Sequence, residues 1–177
     1  NINNDSVMTV SAHMVGSGAR NMEIQNAHEP IDLDYNLNID RVYGLDINQD
    51  TNKIKDYIMA MFNSVLSKHG WSNCQDSTSA LTTERRHFKK GNQTEFSIDL
   101  AIVAEGRDGA WFRLIHEKTG FVQYDRWYWN EGPQSKGLND KVDWLKTNHL
   151  WLEVRETYLT KKNRYLSRGD RNHPSFN

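Results

Sequence analysis

The sequence predicts a protein of the α/β (α+β) class, in which a mixed β-sheet with flanking helices is followed by a helical C-terminal region. Residues 31–39 and 94–103 are apolar segments with the length and composition of buried strands. Between them, residues 52–69 repeat apolar side chains at helical spacing. After Pro133 the pattern becomes helical and stays so to about residue 166. Strands mixed with helices, and then helices alone, are typical of this class.

The remaining elements follow from local patterns of apolar and turn-forming residues. In chain order we predict a strand over residues 9–15, a short helix over 19–25, a strand over 31–39, a helix over 52–69, strands over 78–88 and 94–103, a hairpin over 111–116 and 121–129, and helices over 139–146 and 151–166. Asp50 or Thr51 can cap the long helix, and Gly70 can end it. The 177 residues suffice for one α/β domain, or for a core with a small helical annex.

Composition says more about the setting of the protein than about its chemistry. The formal net charge of −1 gives no general electrostatic reason to expect binding to nucleic acid or to an anionic membrane. The single cysteine, Cys74, excludes an intramolecular disulfide and a cysteine-based zinc site, so we expect a reducing, cytoplasmic location. No apolar run approaches the roughly 20 residues of a membrane helix, so no membrane partner is expected. Because the chain begins at Asn1 rather than Met, we expect it to be a fragment.

Three aspartates lie on strands that are predicted to be buried, which is unusual for a carboxylate. Asp32 and Asp34 are two residues apart and therefore share one face of their strand. Asp99 lies opposite the face that its apolar neighbours fill. Three converging carboxylates would repel by roughly 4 kcal/mol per pair at about 4 Å and an effective dielectric near 20. The sequence therefore predicts a site for Mg²⁺ or Mn²⁺ at these aspartates, although a pair on an exposed edge strand and a turn-capping Asp99 is the alternative.

A glycine-serine pair precedes the first two aspartates. Gly16 and Ser17 follow the first predicted strand, and Arg20 lies three residues further on. A Gly-Ser pair between a strand and a helix lets the backbone approach an anion closely and presents both amides and a hydroxyl group. These residues are candidates for binding a phosphate.

The order of these motifs resembles that of a known family. Gly16-Ser17, then Asp32-x-Asp34 on the next strand, and then the lone Asp99 on a later strand resemble the motif of the DNA polymerase β-like nucleotidyltransferase superfamily. Arg20 resembles the arginine in the Gly-Ser-x-x-Arg opening of minimal nucleotidyltransferases and cyclic-oligonucleotide synthases. The resemblance covers about residues 7–105, with a slightly long spacing between the Gly-Ser pair and the first aspartate. It implies a nucleotidyltransferase-fold core over residues 1–105, with a hairpin and helical region over residues 106–177 packed on it.

The resemblance also implies an activity: metal-dependent transfer of a nucleoside monophosphate from a nucleoside triphosphate such as ATP to an acceptor hydroxyl, with release of pyrophosphate. Asp32, Asp34 and Asp99 would be the catalytic, metal-binding residues, holding two Mg²⁺ or Mn²⁺ ions. Gly16, Ser17 and Arg20 would bind the nucleotide through its phosphates. The acceptor stays open between a small molecule, a protein, an RNA and a second nucleotide, and so does the oligomeric state.

Other interpretations of the sequence remain. The main alternative is a non-catalytic nucleotide-binding or antitoxin-like regulatory module on the same fold. The presence of all three carboxylates favours the enzyme. An RNA-binding protein that uses the basic residues 85–90 is disfavoured by the nearly neutral charge. Ser135 and Lys136 could contact a triphosphate, but helix capping explains the serine equally well. The aromatic residues of the second half could stack a base, although core packing is the favoured interpretation: Trp127, Tyr128, Trp129, Trp144 and Trp151.

Overall fold

An eight-stranded mixed sheet forms the first part of the protein. The fold is seen in a computed structural model that describes residues 7–20, 30–88, 93–132 and 137–166. The chain divides into two units, Asn1–Gln134 and Ser135–Asn177. The sheet lies in the first of them, and two helices lie in the second.

The strands are long where they pair with one another at the centre of the sheet. They are β1 (Met8–Met14), β2 (Ile31–Val42), β3 (Gln75–Asp76), β4 (Leu81–Thr82), β5 (Arg86–His87), β6 (Glu95–Glu105), β7 (Trp111–Glu117) and β8 (Arg126–Glu131). The sheet order is β1-β2-β6-β4-β3, with β5 and β7 also paired to β6, and β8 paired to β7. Only β2 and β6 run parallel among these pairs. The two strands that carry the aspartates are therefore direct neighbours.

The core lies against one face of the sheet. Helix α1 (Thr51–Lys68) buries Ile54 and Ile58 almost completely. They belong to one apolar cluster with Leu37 of β2 and Leu100 of β6. Because side chains alternate along a strand, the residues next to these leucines point to the opposite face. That arrangement places the polar residues of β2 and β6 on the face away from the apolar cluster.

Most predicted elements of the sheet are present, with two differences. The predicted strand over residues 78–88 is two short strands, β4 and β5. Between them the Thr83 hydroxyl accepts the N–H of Ile98 at 2.9 Å, so a side chain replaces a main-chain carbonyl and interrupts the ladder. Residues 121–129 begin as a 3₁₀ turn (Val122–Tyr124) before β8 starts. Of the short helix predicted over residues 19–25, a 3₁₀ turn (Gly18–Arg20) is seen, and residues 21–25 lie outside the described residues.

The second unit contains two helices at the predicted positions. They are α2 (Leu138–Thr147) and α3 (Trp151–Leu166). Gly137, with φ +74°, precedes the first of them in a left-handed conformation that favours glycine. β7 and β8, which form the hairpin, are strands of the sheet in the first unit. The packing of residues 106–177 on a core of residues 1–105 stays a prediction. In the described ranges, no helix is long and apolar enough to cross a membrane.

A buried ionic network lies beneath the sheet, on the side of α1. The ammonium of Lys55, only 2% exposed, lies 2.5 Å from Asp76. His116, also buried, contacts Asp76 through Nδ1 at 2.6 Å and Asp125 through Nε2 at 3.1 Å, and it stacks on Trp127. Burial raises the pKa of Asp76, but hydrogen bonds from Lys55 and His116 outweigh it and hold that pKa below its usual value. Burial lowers the pKa of Lys55.

Trp127 and Trp129 are half-buried, and Trp129 packs against the apolar core, as the core-packing interpretation expected. That interpretation is wrong for Tyr128 and Trp144, whose side chains are 41% and 60% exposed.

Candidate functional site

The register of β2 and β6 brings the predicted aspartates to one face of the sheet. Asp34 is paired directly with Asp99, and Asp32 with Ser97. Neighbouring strands lie about 4.8 Å apart, and residues two apart on a strand share a face. Asp32 is exposed, while Asp34 and Asp99 are half-buried. The three carboxylates therefore occupy adjacent positions on the face away from the apolar core.

The turn at Gly16 and Ser17 lies next to Asp34. The N–H of Val15 donates to the carbonyl of Asp34 at 2.9 Å, which continues the pairing of β1 with β2 beyond the end of β1. Gly16 has φ +65°, and a Cβ added there would lie 2.5 Å from Oδ2 of Asp34. Ser17 follows in the turn and is half-buried. The absence of a side chain at Gly16 thus allows the turn to approach the carboxylate closely.

Two hydroxyl groups that we did not predict contact the carboxylates. Ser97 donates to Oδ1 of Asp32 at 2.9 Å, and Thr82 donates to Oδ1 of Asp99 at 2.6 Å. Ser97 had a detectable signal, because it lies two residues before Asp99 and shares its face. Thr82 had none, since its contact depends on the register between β4 and β6. The backbone of Arg20 ends the 3₁₀ turn, and its side chain is not among those described.

The donor set of this face fits an oxygen-preferring cation. The candidate ligands are three carboxylates, and Mg²⁺ and Mn²⁺ prefer such oxygen ligands. The space left by Gly16 beside Asp34 is one that a single methyl group would fill. As the side chains now stand, the described residues include no cluster of three His, Cys, Asp or Glu side chains that could hold a metal ion. A shared ion at Asp32, Asp34 and Asp99 therefore stays a prediction.

Substitution of Gly16 with alanine is expected to displace the Asp34 carboxylate. The new Cβ would overlap Oδ2 and lie 3.3 Å from Cγ, so the side chain must rotate away. The positive φ adds a cost of roughly 1–2 kcal/mol for a residue with a Cβ. Gly44→Ala is the matched control, because Gly44 has φ +74° but nothing within 4 Å of a Cβ. Urea unfolding should show similar losses of stability in both variants. Crystal structures should show a displaced Asp34 in Gly16→Ala alone, and an unmoved carboxylate would contradict the close approach.

The comparisons with known proteins concern the fold. No protein-family model and no curated protein matches the sequence. Among solved structures, the chain is similar to DncV of Vibrio cholerae in its GTP-bound form, with a TM-score of 0.57 and 15% identity over 88% of this chain and 38% of DncV. The 3′-deoxy ATP-bound form gives a TM-score of 0.57 and 13% identity over 88% of this chain and 39% of DncV. The apo form gives 0.54 and 13%, over 78% and 36%.

This likeness covers most of this chain but a limited part of DncV. The chain spans between 36% and 39% of the length of the DncV structures that it matches. In the described residues, the eight-stranded sheet and three α-helices are a mixed α/β architecture, as predicted from the sequence. This chain therefore shares its fold with the matched part of DncV, and its architecture is consistent with the nucleotidyltransferase-like fold predicted from the sequence.

Proposed function

We propose that this protein is a metal-dependent nucleotidyltransferase, which moves a nucleoside monophosphate from a nucleoside triphosphate to an acceptor hydroxyl and releases pyrophosphate. The observation that carries the proposal is the parallel register that pairs Asp34 with Asp99. Asp32 shares their face, and the turn at Gly16 lies against Asp34. This reaction needs a metal site and a phosphate site. The carboxylates are suited to the first, and the glycine turn beside them is suited to the second.

Each residue has a proposed role. Asp32, Asp34 and Asp99 hold Mg²⁺ or Mn²⁺, which when bound neutralises charge on the triphosphate and lowers the pKa of the attacking hydroxyl. Asp99 also accepts the proton of that hydroxyl. The backbone N–H groups of the turn and the Ser17 hydroxyl bind the β- or γ-phosphate. Arg20 follows in the same turn and supplies a positive charge for the phosphates.

The likeness to DncV supports a nucleoside triphosphate as the substrate. DncV has been solved in GTP-bound and 3′-deoxy ATP-bound forms, and its fold is shared by this chain. That likeness supports a nucleoside triphosphate as the ligand of the face that carries the aspartates. The acceptor is a small molecule, a protein, an RNA or a second nucleotide.

The single cysteine, Cys74, is buried and free, which supports a reducing, cytoplasmic setting.

Metal and nucleotide together are expected to stabilise the protein more than either does alone. Each neutralises the charge that opposes binding of the other, and a ligand that binds only the folded state stabilises it by about 2.7 kcal/mol at 100 times its Kd. Thermal unfolding with each of the four nucleoside triphosphates, with and without Mn²⁺, measures this effect. Asp99→Asn should remove most of the joint shift. Asp40→Asn is the control, since Asp40 is an exposed carboxylate on the same sheet that contacts Ser11.

Pyrophosphate release then distinguishes the two candidate functions. A joint shift that depends on Asp99, together with pyrophosphate released in the presence of an acceptor, supports the enzyme. A joint shift without pyrophosphate from any acceptor class supports the nucleotide-binding or antitoxin-like regulatory module. Equal shifts in wild type and Asp99→Asn would contradict the proposed site for both functions.

A further inference from the structure

A chain of hydrogen bonds reaches Asp99 from the hairpin formed by β3 and β4. Thr82 of β4 is the register partner of Asp99, and its hydroxyl lies 2.6 Å from Oδ1 of that carboxylate. The same hydroxyl lies 3.1 Å from Oγ of Ser77, in the turn between β3 and β4. Thr82 and Ser77 are both half-buried, so water competes less for these bonds than at an exposed site.

The direction of these hydrogen bonds follows from the chemistry of the carboxylate at which they end. An ionised carboxylate can only accept hydrogen bonds. The hydroxyl of Thr82 has a single hydrogen, which it must donate to Asp99. Thr82 therefore accepts from Ser77, whose hydroxyl hydrogen points along the chain toward the carboxylate. Each bond polarises the next, so the Ser77 hydroxyl strengthens the bond from Thr82 to Asp99.

Ser77, the first residue of these hydrogen bonds, is held in place by the buried ionic network. The ammonium of Lys55 donates to the carbonyl of Ser77 at 3.0 Å while it is paired with Asp76. The N–H of Ser77 donates to the carbonyl of Ala80, which closes the turn. Ser77 is thus held from both sides, by α1 beneath the sheet and by its own turn. A fixed donor of this kind determines where the hydroxyl of Thr82 points.

We propose that Thr82, supported by Ser77, is the residue that positions Asp99 for metal binding. The bond to Oδ1 fixes the rotation of the carboxylate and leaves Oδ2 as the oxygen that binds the ion. This inference rests on the proposed function, because it concerns how one of the three proposed metal ligands is held. Groups that orient a metal ligand typically affect metal affinity by 10–100-fold.

Binding of Mn²⁺ alone, measured by electron paramagnetic resonance of the free ion, tests the positioning role. Thr82→Val keeps the shape of the side chain and removes the hydroxyl, so we expect affinity to fall by about 10–100-fold. Thr82→Ser keeps the hydroxyl and should bind within about threefold of wild type. Thr83→Val is the matched control, because it removes a hydroxyl from the next residue that bonds to the N–H of Ile98 rather than to a carboxylate. It should leave Mn²⁺ affinity unchanged.

A second measurement does not need the metal. Urea unfolding of Thr82→Val, Asp99→Ala and the double variant gives the coupling between the two side chains. We expect the double variant to shift the unfolding midpoint by clearly less than the sum of the single shifts, since either change alone already breaks the bond. Additive shifts would overturn the inference.

The outcomes separate this inference from the proposed function. If wild type binds Mn²⁺ and Thr82→Val binds it equally well, the positioning role is overturned and the metal site stands. Equal losses in Thr82→Val and Thr83→Val would also overturn it, because they would mean that the hairpin as a whole is what matters. If wild type takes up no Mn²⁺ while Asp99 and Thr82 are still coupled in urea, the metal site itself is wrong, and the positioning role is overturned with it.

Discussion

Asp34→Ala is expected to reduce pyrophosphate release by about 10³-fold or more, because stabilisation of the transferring phosphoryl charge by metal ions is a dominant catalytic term. Asp34 is the central residue of the site: it pairs with Asp99 across the parallel strands and lies against the turn at Gly16. Its loss removes a ligand from the middle of the proposed metal site. Asp32→Ala is expected to have an effect of the same order. The measurement is pyrophosphate release with Mg²⁺, a nucleoside triphosphate and a competent acceptor.

The control for this prediction is Asp40→Ala. Asp40 lies six residues further along β2, roughly 20 Å from Asp34 at about 3.3 Å per residue, and accepts a hydrogen bond from Ser11. The Asp40→Ala substitution removes one negative charge from the same strand without changing a residue of the proposed site. Activity of Asp40→Ala should stay close to that of wild type. If Asp34→Ala retained the activity of Asp40→Ala, these carboxylates would not be the catalytic groups.

Lys55→Met is expected to destabilise the protein by about 3–5 kcal/mol, the cost of removing one partner from a buried ion pair. The ammonium lies 2.5 Å from Asp76 and is 2% exposed, so little water reaches it. Methionine fills a similar volume without a charge, which leaves the carboxylate of Asp76 with His116 as its remaining partner in the network. Urea unfolding measures the loss.

The control is Lys53→Met on the same helix. Lys53 is paired with Asp50 at 2.7 Å, but its side chain is 64% exposed. Exposed ion pairs contribute little because solvent screens them, so this variant should unfold close to wild type. A loss in Lys55→Met as small as that in Lys53→Met would mean that the network beneath the sheet is not a stabilising part of the fold.

Local patterns in the sequence were sufficient to predict which residues face which way. The alternation of aspartates with Leu33 and Tyr35 indicated a two-faced strand, and β2 has the polar face that this pattern predicts. Apolar spacing predicted α1 over residues 52–69, and it spans Thr51–Lys68. These features depend on residues that are close in sequence, so they can be predicted from the sequence alone.

Contacts between distant segments could not be predicted in the same way. The hydrophobic pattern of a strand determines which side is buried, but not which strand it pairs with or in which register. The pairing of Thr82 with Asp99, and the bond between Ser97 and Asp32, depend on that register. The Thr82 hydroxyl was missed for this reason, whereas the face of Ser97 could have been predicted from its spacing to Asp99 and only its partner Asp32 could not.

One feature beneath the sheet did have a signal. Lys55 follows Thr51 by four residues and precedes Ile58 by three, so it lies on the apolar face of α1. A lysine at such a position needs a buried partner. The partner, Asp76, is 21 residues further along in a two-residue strand, and its position could not be read from the sequence.

We propose that Asp32, Asp34 and Asp99 form a metal site that receives a nucleoside triphosphate beside the turn at Gly16 and Ser17. Anomalous diffraction from crystals grown with Mn²⁺ and a non-hydrolysable triphosphate tests it most directly. We expect manganese peaks against these three carboxylates, with the triphosphate at the turn. Manganese or nucleotide bound elsewhere on the protein, with these carboxylates contacting neither, would contradict it.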